Sequence, residues 1–580
     1  MCSFARRNPA CGPKRPTAHL AVPRALSGRP RGARHRACRG GRNEVAEFDY
    51  IVVGAGSAGC AVAARLSEDP DVRVLLLEAG PRDRNPWIHV PIGYYRTIFD
   101  PRTSRTFETE PEEATGNRVI RWPRGRTLGG SSSINGLVYV RGQAEDYDHW
   151  RQLGNEGWSY SDVLPFFKKG EDYKGGADAY RGRGGPLGVS DPAIEMPLMD
   201  AFVEAAHQAG IPSNPDYNGE SQEGVAPFQF TVRKGRRCSA AVAYLAPARK
   251  RPNLYVVTSA PTTRVLIEDG RAVGVAYVEN GIAKEARAGR EIVLSAGAVQ
   301  SPHLLMLSGI GPADHLRAHG IEVARDLPGV GQSLQDHFQA RAVFRSPQPG
   351  TLNEVAGGFV RRITAGLRYM ATRSGPLTVG AGFLTLFWKT RPELATPDVQ
   401  FHVIPFSADR IGAPLHPWPG YTVSVCQLRP ESRGHLELRS ADPFDAPRIF
   451  PNYLATEGDR RTMVEGMKLI RKVMAEPAIQ PWREVETVPG EACRSDEDLL
   501  KFVRETGTTI FHPTSTCRMG PDGDAMAVVD ARLRVRGVRG LRVADASIMP
   551  TVVSGNTNAP SIMIGEKAAA MIRDDARRSV

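Results

Sequence analysis

Six residues near the start of the chain, Gly54-Ala55-Gly56-Ser57-Ala58-Gly59, limit what it can fold into more than any other feature. An apolar, β-favouring run at 48–53 leads into them,. A helical pattern at 61–66 follows and is stopped by Asp69-Pro70,. A second buried-strand pattern at 72–77 ends on Glu78. Strand, glycine turn, helix and strand in this order make the βαβ unit of a dinucleotide-binding sheet.

Each glycine of such a unit has its own physical task. Gly54 permits the tight turn, Gly56 lets backbone approach a pyrophosphate, and Gly59 lets the helix pack closely on the strand. Ser57 and Ala58 open the helix, where free N–H groups and the positive dipole end favour phosphate oxygens. Glu78 lies 24 residues beyond Gly54, where an acid accepts the hydroxyls of an adenosine ribose. The fingerprint by itself leaves NAD and FAD open.

A length of 580 residues exceeds what one hydrophobic core supports, so two or more domains are expected,. The net charge of +12 says little about function. Eleven basic residues fall within the first 42 positions, which hold no acid, so the rest of the chain is close to neutral. A basic tail is not the basic folded face of a nucleic-acid binder, and no nucleic-acid partner is expected. Residues 1–45 read as a disordered extension, either an organellar transit segment or the product of a start codon set too far upstream. The first reading implies an organelle; the second implies a bacterial protein, cytoplasmic or peripheral to a membrane. No apolar stretch of about 18 residues occurs, so no transmembrane segment is expected, while peripheral membrane contact stays open. The eight cysteines include no CxxC pair and no metal-ligand spacing, which points to free thiols in a reducing compartment and to no metal.

Elsewhere the patterns predict helices at 158–169, 197–210, 301–308, 457–474 and 559–575. They predict strands at 254–257, 263–267, 272–278, 291–295, 423–428, 435–439 and 535–545. Residues 340–420 are punctuated by Pro and Gly and mixed in period, as suits a substrate-covering region.

Three further segments choose between the cofactors. Residues 123–137 read PRGRTLGGSSSINGL, and residues 297–311 read GAVQSPHLLMLSGIG. The C-terminal part carries His512-Pro513, the run GLRVADAS at 540–547, and GNTNAP at 555–560. With these motifs the chain, from about 47 to 575, resembles the glucose-methanol-choline (GMC) family of flavin oxidoreductases, in particular its choline and alcohol dehydrogenase branch. The first two segments look like the two long motifs by which that family is identified.

The resemblance implies an α/β fold, α+β overall: a Rossmann-like FAD-binding domain and a second, sheet-plus-helices substrate-binding domain. The first would comprise 46–155, 222–338 and 500–580, the second 156–221 and 339–499. It implies FAD contacts for Arg124, Gly129, Gly130, Ser131, Asn135, Gly136, Leu137 and Val138 along the loop. Val265 would touch the adenine region, and Asp545 and Ala546 the pyrophosphate and ribityl chain. Asn558 and Pro560 would bring the last helix to the flavin's pyrimidine end, where a positive helix terminus favours the negative charge of the reduced ring. Some relatives attach FAD through a His of this loop. The matching position here is Ile134, so the FAD is expected to be non-covalent.

The family's active-site base matches His512, and its partner position, a His or Asn in relatives, matches Asn556. The implied reaction removes a proton from an alcohol to His512, holds the alcohol oxygen at Asn556, and passes hydride to flavin N5. Electrons would leave to a quinone or another acceptor, with oxygen as the alternative. Same-fold competitors are a fatty-acid photodecarboxylase, a hydroxynitrile lyase and a flavin binder without turnover. For a quaternary-ammonium substrate an aromatic cage with an acid is required; Trp87, Tyr94, Tyr95, Phe99, Trp388 and Trp418 are the candidates.

Overall fold

The computed structural model describes residues 46–192 and 194–578. The expected extension, 1–45, lies outside them. Two seven-stranded sheets organise this part of the chain.

In the first sheet, Ala46–Val53 lies between Val74–Glu78 and Ile282–Leu294, parallel to both, and Leu254–Thr258 extends it parallel to Val74–Glu78. Ile51, Val52, Val74 and Leu76 are fully buried, because crossover helices cover both faces of a parallel sheet,. The long strand Ile282–Leu294 serves two purposes. Its first half pairs antiparallel with Arg271–Glu279, which pairs in turn with Thr262–Glu268. Its last residues pair parallel with Leu541–Val543.

The sequence predicts a longer strand there, 535–545. Positive φ at Gly537 and Gly540 turns the chain, and the Val535 N–H donates back to Leu541 O, so only three residues stay extended. The helix expected at 301–308 runs instead from Gly297 to Leu307, with Pro302 inside it. Proline cannot donate to the carbonyl four residues back. That carbonyl, of Ala298, accepts a hydrogen bond from the Thr516 hydroxyl at 2.7 Å, so the helix continues across the proline.

The second sheet is antiparallel, ordered Val485–Val488, Phe338–Arg345, Gly420–Gln427, Val399–Ile404, Leu384–Trp388, Gly224–Pro227. Helix Glu457–Ala475 packs on Gly420–Gln427, whose eight residues are all buried. Gly224–Pro227 and Thr508–Thr509 join this sheet, although both fall in segments that the sequence reading gave to the first domain.

Helix Ser57–Leu66 is small-sided, and helix Asn558–Arg578 uses this. A Cβ on Gly565 would stand 2.5 Å from Ala58 O, so the two helices meet backbone to backbone. Arg65 crosses to the fully buried Glu566 at 2.8 Å. The two N-termini are thereby brought together, and the Ser57 hydroxyl donates to Asn558 Oδ1 at 2.8 Å. Among the described residues no helix is long and apolar enough to cross a membrane, and no cluster of ligands could hold a metal ion. Cys60, Cys238, Cys426, Cys493 and Cys517 are free thiols.

Candidate active site

The turn after the first strand is built from atoms that allow no substitute. Gly54 has φ +99°, and a Cβ there would sit 2.6 Å from Ser295 O. A Cβ on Gly59 would sit 1.9 Å from Gly54 O. Gly56 differs: its nearest neighbour for a Cβ is Ser295 O at 3.8 Å, because it faces a cavity. The helix that begins after it has no side-chain cap, so its first N–H groups are left for a ligand,.

The cavity has a volume of about 610 Å³ and passes from this turn to the second sheet. Gly54, Gly56, Ser57, Ala58, Glu78, Arg124, Gly130, Ser131, Asn135, Gly136, Val138, Asp545, Ala546 and Asn558 line it, as do His512 and Asn556. Four other residues of the sequence reading stand behind the wall. Gly59 packs on Gly54, Gly129 donates to Ala55 O at 2.8 Å, and the fully buried Leu137 donates to Asn135 Oδ1 at 3.1 Å. Val265 is buried in its strand, where its N–H meets Ser308 Oγ; Ala260, Pro261 and Thr262 face the cavity instead.

The glycine loop presses on the glycine turn. A Cβ on Gly130, at φ +52°, would come within 2.7 Å of Gly56 Cα. Two acids hold the neighbouring backbone. Glu78 accepts the N–H of Ala55 at 2.9 Å and of Gly80 at 2.8 Å, and burial pushes its carboxyl up to about 7. Asp545 is more fully engaged: Oδ2 accepts from the Gly297 N–H and the Ser301 hydroxyl, and Oδ1 from the N–H and hydroxyl of Ser547. Sequence reasoning missed Arg237. Its buried guanidinium donates to Ile88 O, Ser132 O, Asn135 O and Asn135 Oδ1, which fixes the loop's asparagine. It lies in an ordinary-looking basic hairpin, and nothing local in the sequence marks it.

At the other end of the cavity, His512 Nε2 stands 3.1 Å from Asn556 Nδ2 and His512 Nδ1 stands 2.9 Å from His337 Nδ1. His337 Nε2 stands 3.1 Å from Leu428 O. A carbonyl only accepts, so His337 carries its proton on Nε2 and, when neutral, offers a lone pair at Nδ1. His512 Nδ1–H then donates to it. The His512 Nε2 lone pair is left facing the cavity, where it accepts from Asn556. The Asn556 amide is oriented by Gln400, whose Nε2 donates to Asn556 Oδ1 at 3.3 Å. Burial pushes His337 down to about 4, which keeps it in the neutral form that this chain of bonds requires. Burial foremost, then His337, His402 and Arg124, holds His512 well below the ordinary histidine value.

The backbone of His512 is held as firmly as its ring. Its N–H donates to Asp336 Oδ1 at 2.7 Å, and Arg124 donates to the carbonyl of Phe511, a residue at φ +70°. Tyr453 and Thr509 donate to the other oxygen of Asp336, which burial pushes up to about 6. Asp336, His337, Gln400 and His402 were not singled out by sequence. His402 lines the cavity with neither ring nitrogen hydrogen-bonded to the protein, and Gln400 Oε1 is likewise unpartnered. These orphaned atoms mark where a ligand's polar group belongs. Of the aromatic candidates, Tyr94 and Tyr95 line the cavity. Trp87 and Phe99 are covered by Arg96 and Arg121, Trp418 stacks on His416, and Trp388 is not on the wall.

One cavity thus joins the glycine turn to a buried imidazole whose unprotonated nitrogen faces it, a shape that suits an extended dinucleotide with a reactive ring at its far end. Comparison with known proteins agrees. Residues 48–339 and 430–565 match the two GMC oxidoreductase family profiles. Mitochondrial choline dehydrogenase of Mus musculus is 46% identical over 91% of this chain and 89% of its own. Alcohol dehydrogenase [acceptor] of Pseudomonas putida is 45% identical over 90% of this chain and 95% of its own. A formate oxidase variant of Aspergillus oryzae, solved to follow modification of its FAD, superposes with a TM-score of 0.85 at 28% identity over 92% of this chain and 99% of its own. The chain therefore belongs to the GMC oxidoreductase family, as an FAD-dependent oxidoreductase acting on CH–OH donors.

Proposed function

We propose that this protein oxidises an alcohol to an aldehyde or ketone with His512 as general base. The observation that carries the reading is the unprotonated Nε2 of His512, turned toward the cavity beside Asn556 by the bonds through His337 to Leu428 O. A base must be unprotonated at the working pH and within hydrogen-bond reach of the proton it takes. The lowered basicity of the buried ring meets the first condition, and its place on the cavity wall meets the second. Asn556, oriented by Gln400, donates to the substrate oxygen and fixes the hydroxyl beside His512,. The unpartnered ring of His402 supplies a further donor to that oxygen.

Bound FAD supplies a two-electron acceptor for the carbon-bound hydrogen. Gly56 and the uncapped start of helix Ser57–Leu66 would hold its pyrophosphate, and Glu78 its ribose. The loop from Gly129 to Val138 and the start of helix Asn558–Arg578 would hold the ring. The attachment is non-covalent: Ile134 lines the cavity with an aliphatic side chain that offers no nucleophile. The chain divides into an FAD-binding part around the first sheet and a substrate-binding part around the second. Electrons leave to a quinone or another acceptor; the Pseudomonas relative is named alcohol dehydrogenase [acceptor]. The basic segment 1–45 serves as an organellar address, in keeping with a mitochondrial relative.

His512→Ala tests the reading. Turnover should fall by about 10²-fold or more while FAD content, read from the visible spectrum, stays unchanged. Full activity in that variant sinks the assignment of the base. Oxygen uptake that keeps pace with alcohol consumption sinks the assignment of the acceptor.

A further inference from the structure

The alcohol reading leaves the remainder of the substrate undefined, and an unpaired cation in the second sheet bears on it. Arg341 lies in strand Phe338–Arg345. Alternate residues of a strand share a face, and Gln339 and Arg341 both line the cavity. In the antiparallel register Arg341 is opposite Ser424, and Ser424 is opposite His402. The three therefore form one row across the cavity wall, their strands about 4.8 Å apart. Among the described residues, the Arg341 guanidinium makes no hydrogen bond and no ion pair.

The charges nearby deepen the anomaly. Among the described residues, the only carboxylates on the cavity wall are Glu78 and Asp545. Both belong to the dinucleotide end, and both already accept hydrogen bonds from the protein. Arg105, Arg124, Arg126 and Arg410 line the same wall, and among the described residues none of them has an ion pair either. An unpaired arginine set deep in a protein is costly unless a ligand supplies the counter-charge. FAD phosphates do not serve, since their place is at Gly56 and the helix start on the first sheet. Tyr94, Tyr95 and Phe406 add aromatic surface beside Arg341, but the acid that a quaternary-ammonium cage needs is replaced by a cation,.

We infer that the substrate is an alcohol bearing a carboxylate, which the Arg341 guanidinium grips as a fork while the hydroxyl sits between His512 and Asn556. The planar guanidinium matches a carboxylate with two parallel hydrogen bonds, and its charge repels a quaternary ammonium. Across the row the Arg341 and His402 backbones are two strand spacings, about 9.6 Å, apart,. The two polar ends of the substrate are accordingly separated by several atoms. This inference rests on the alcohol-oxidation reading.

The test uses the FAD-loaded full chain: anaerobic flavin bleaching shows whether an alcohol is oxidised, and turnover with an added artificial dye acceptor gives kcat and KM. Matched alcohols are compared: 4-(hydroxymethyl)benzoate against benzyl alcohol, 6-hydroxyhexanoate against 1-hexanol, and choline. The carboxylate member of each pair should show a kcat/KM at least about 10-fold above its neutral partner, with choline below both. Arg341→Gln should erase that advantage by raising KM with kcat unchanged, and leave the neutral alcohols as they were. Arg341→Lys, which keeps the charge and loses the fork, should fall between. A binding readout runs beside turnover: benzoate, which is not oxidised, should perturb the flavin spectrum of the native protein and do so at least about 10-fold more weakly in Arg341→Gln. A preference for choline or for the neutral partners overturns the proposal, as does an equal loss on every alcohol in Arg341→Gln. If no alcohol bleaches the flavin, the oxidation reading fails, and the benzoate titration alone decides the anion site: equal affinity in both proteins overturns it.

Discussion

His512 shows how far a single residue's chemistry depends on its contacts. An imidazole in water divides its proton between two nitrogens and titrates near neutrality. Here Leu428 O sets the tautomer of His337, and His337 sets that of His512. His337→Ala removes the acceptor for His512 Nδ1–H, so the ring can turn its proton toward the cavity. The expected loss in kcat is about 10-fold or more, within the range of general-base catalysis, with FAD content unaltered. The depressed basicity has its own signature. As the proposed base His512 works when neutral, and burial, with His337, His402 and Arg124 close by, disfavours its protonated form, so activity should be lost only as pH falls through a value well below 6.5. A profile of kcat/KM should therefore stay level from pH 8 down past 6.5 before its acid limb begins. A limb centred at or above 7 would contradict this origin.

At the scale of elements, the βαβ unit was legible because each step is local. The apolar run at 48–53, the glycine turn and the Asp-Pro stop need only their own neighbours to be read, and the observed Ala46–Val53, Ser57–Leu66 and Val74–Glu78 follow them. Elements that depend on distant partners were not legible. Helix Gly297–Leu307 passes through Pro302 because Thr516, over two hundred residues away, takes the freed carbonyl. The strand expected at 535–545 is cut short by a turn of its own glycines. The glycine turn itself allows a comparison of two substitutions. Gly59→Ala places a methyl 1.9 Å from a backbone oxygen that has nowhere to go, and should cost about 1–3 kcal/mol or more and lower Tm,. Gly56→Ala meets no protein atom closer than 3.8 Å. It should keep the Tm of the FAD-free protein and lose FAD affinity, since the methyl occupies the cofactor's space. Thermal melts with and without FAD separate the two.

For the whole molecule, the cavity has walls from both sheets, and the described residues form one compact unit. Calorimetry should then show one main unfolding transition that FAD raises, by about 2.7 kcal/mol when free FAD is a hundred times its Kd. Two transitions, only one of them moved by FAD, would show that the sheets unfold independently. The sequence alone determined the dinucleotide turn and the family's loop and helix motifs, and it singled out His512 and Asn556. Each is carried by contiguous residues whose backbone demands or chemistry can be read where they stand. Only the tertiary structure decided which tautomer His512 holds, that Arg237 braces Asn135, and that Arg341 shares a cavity with His402 and His512 while having no counter-charge. Those are facts about which groups meet, and about which groups are missing, between strands and loops far apart in the chain. Burial and pairing are properties of the assembled packing, and no local pattern of residues encodes them.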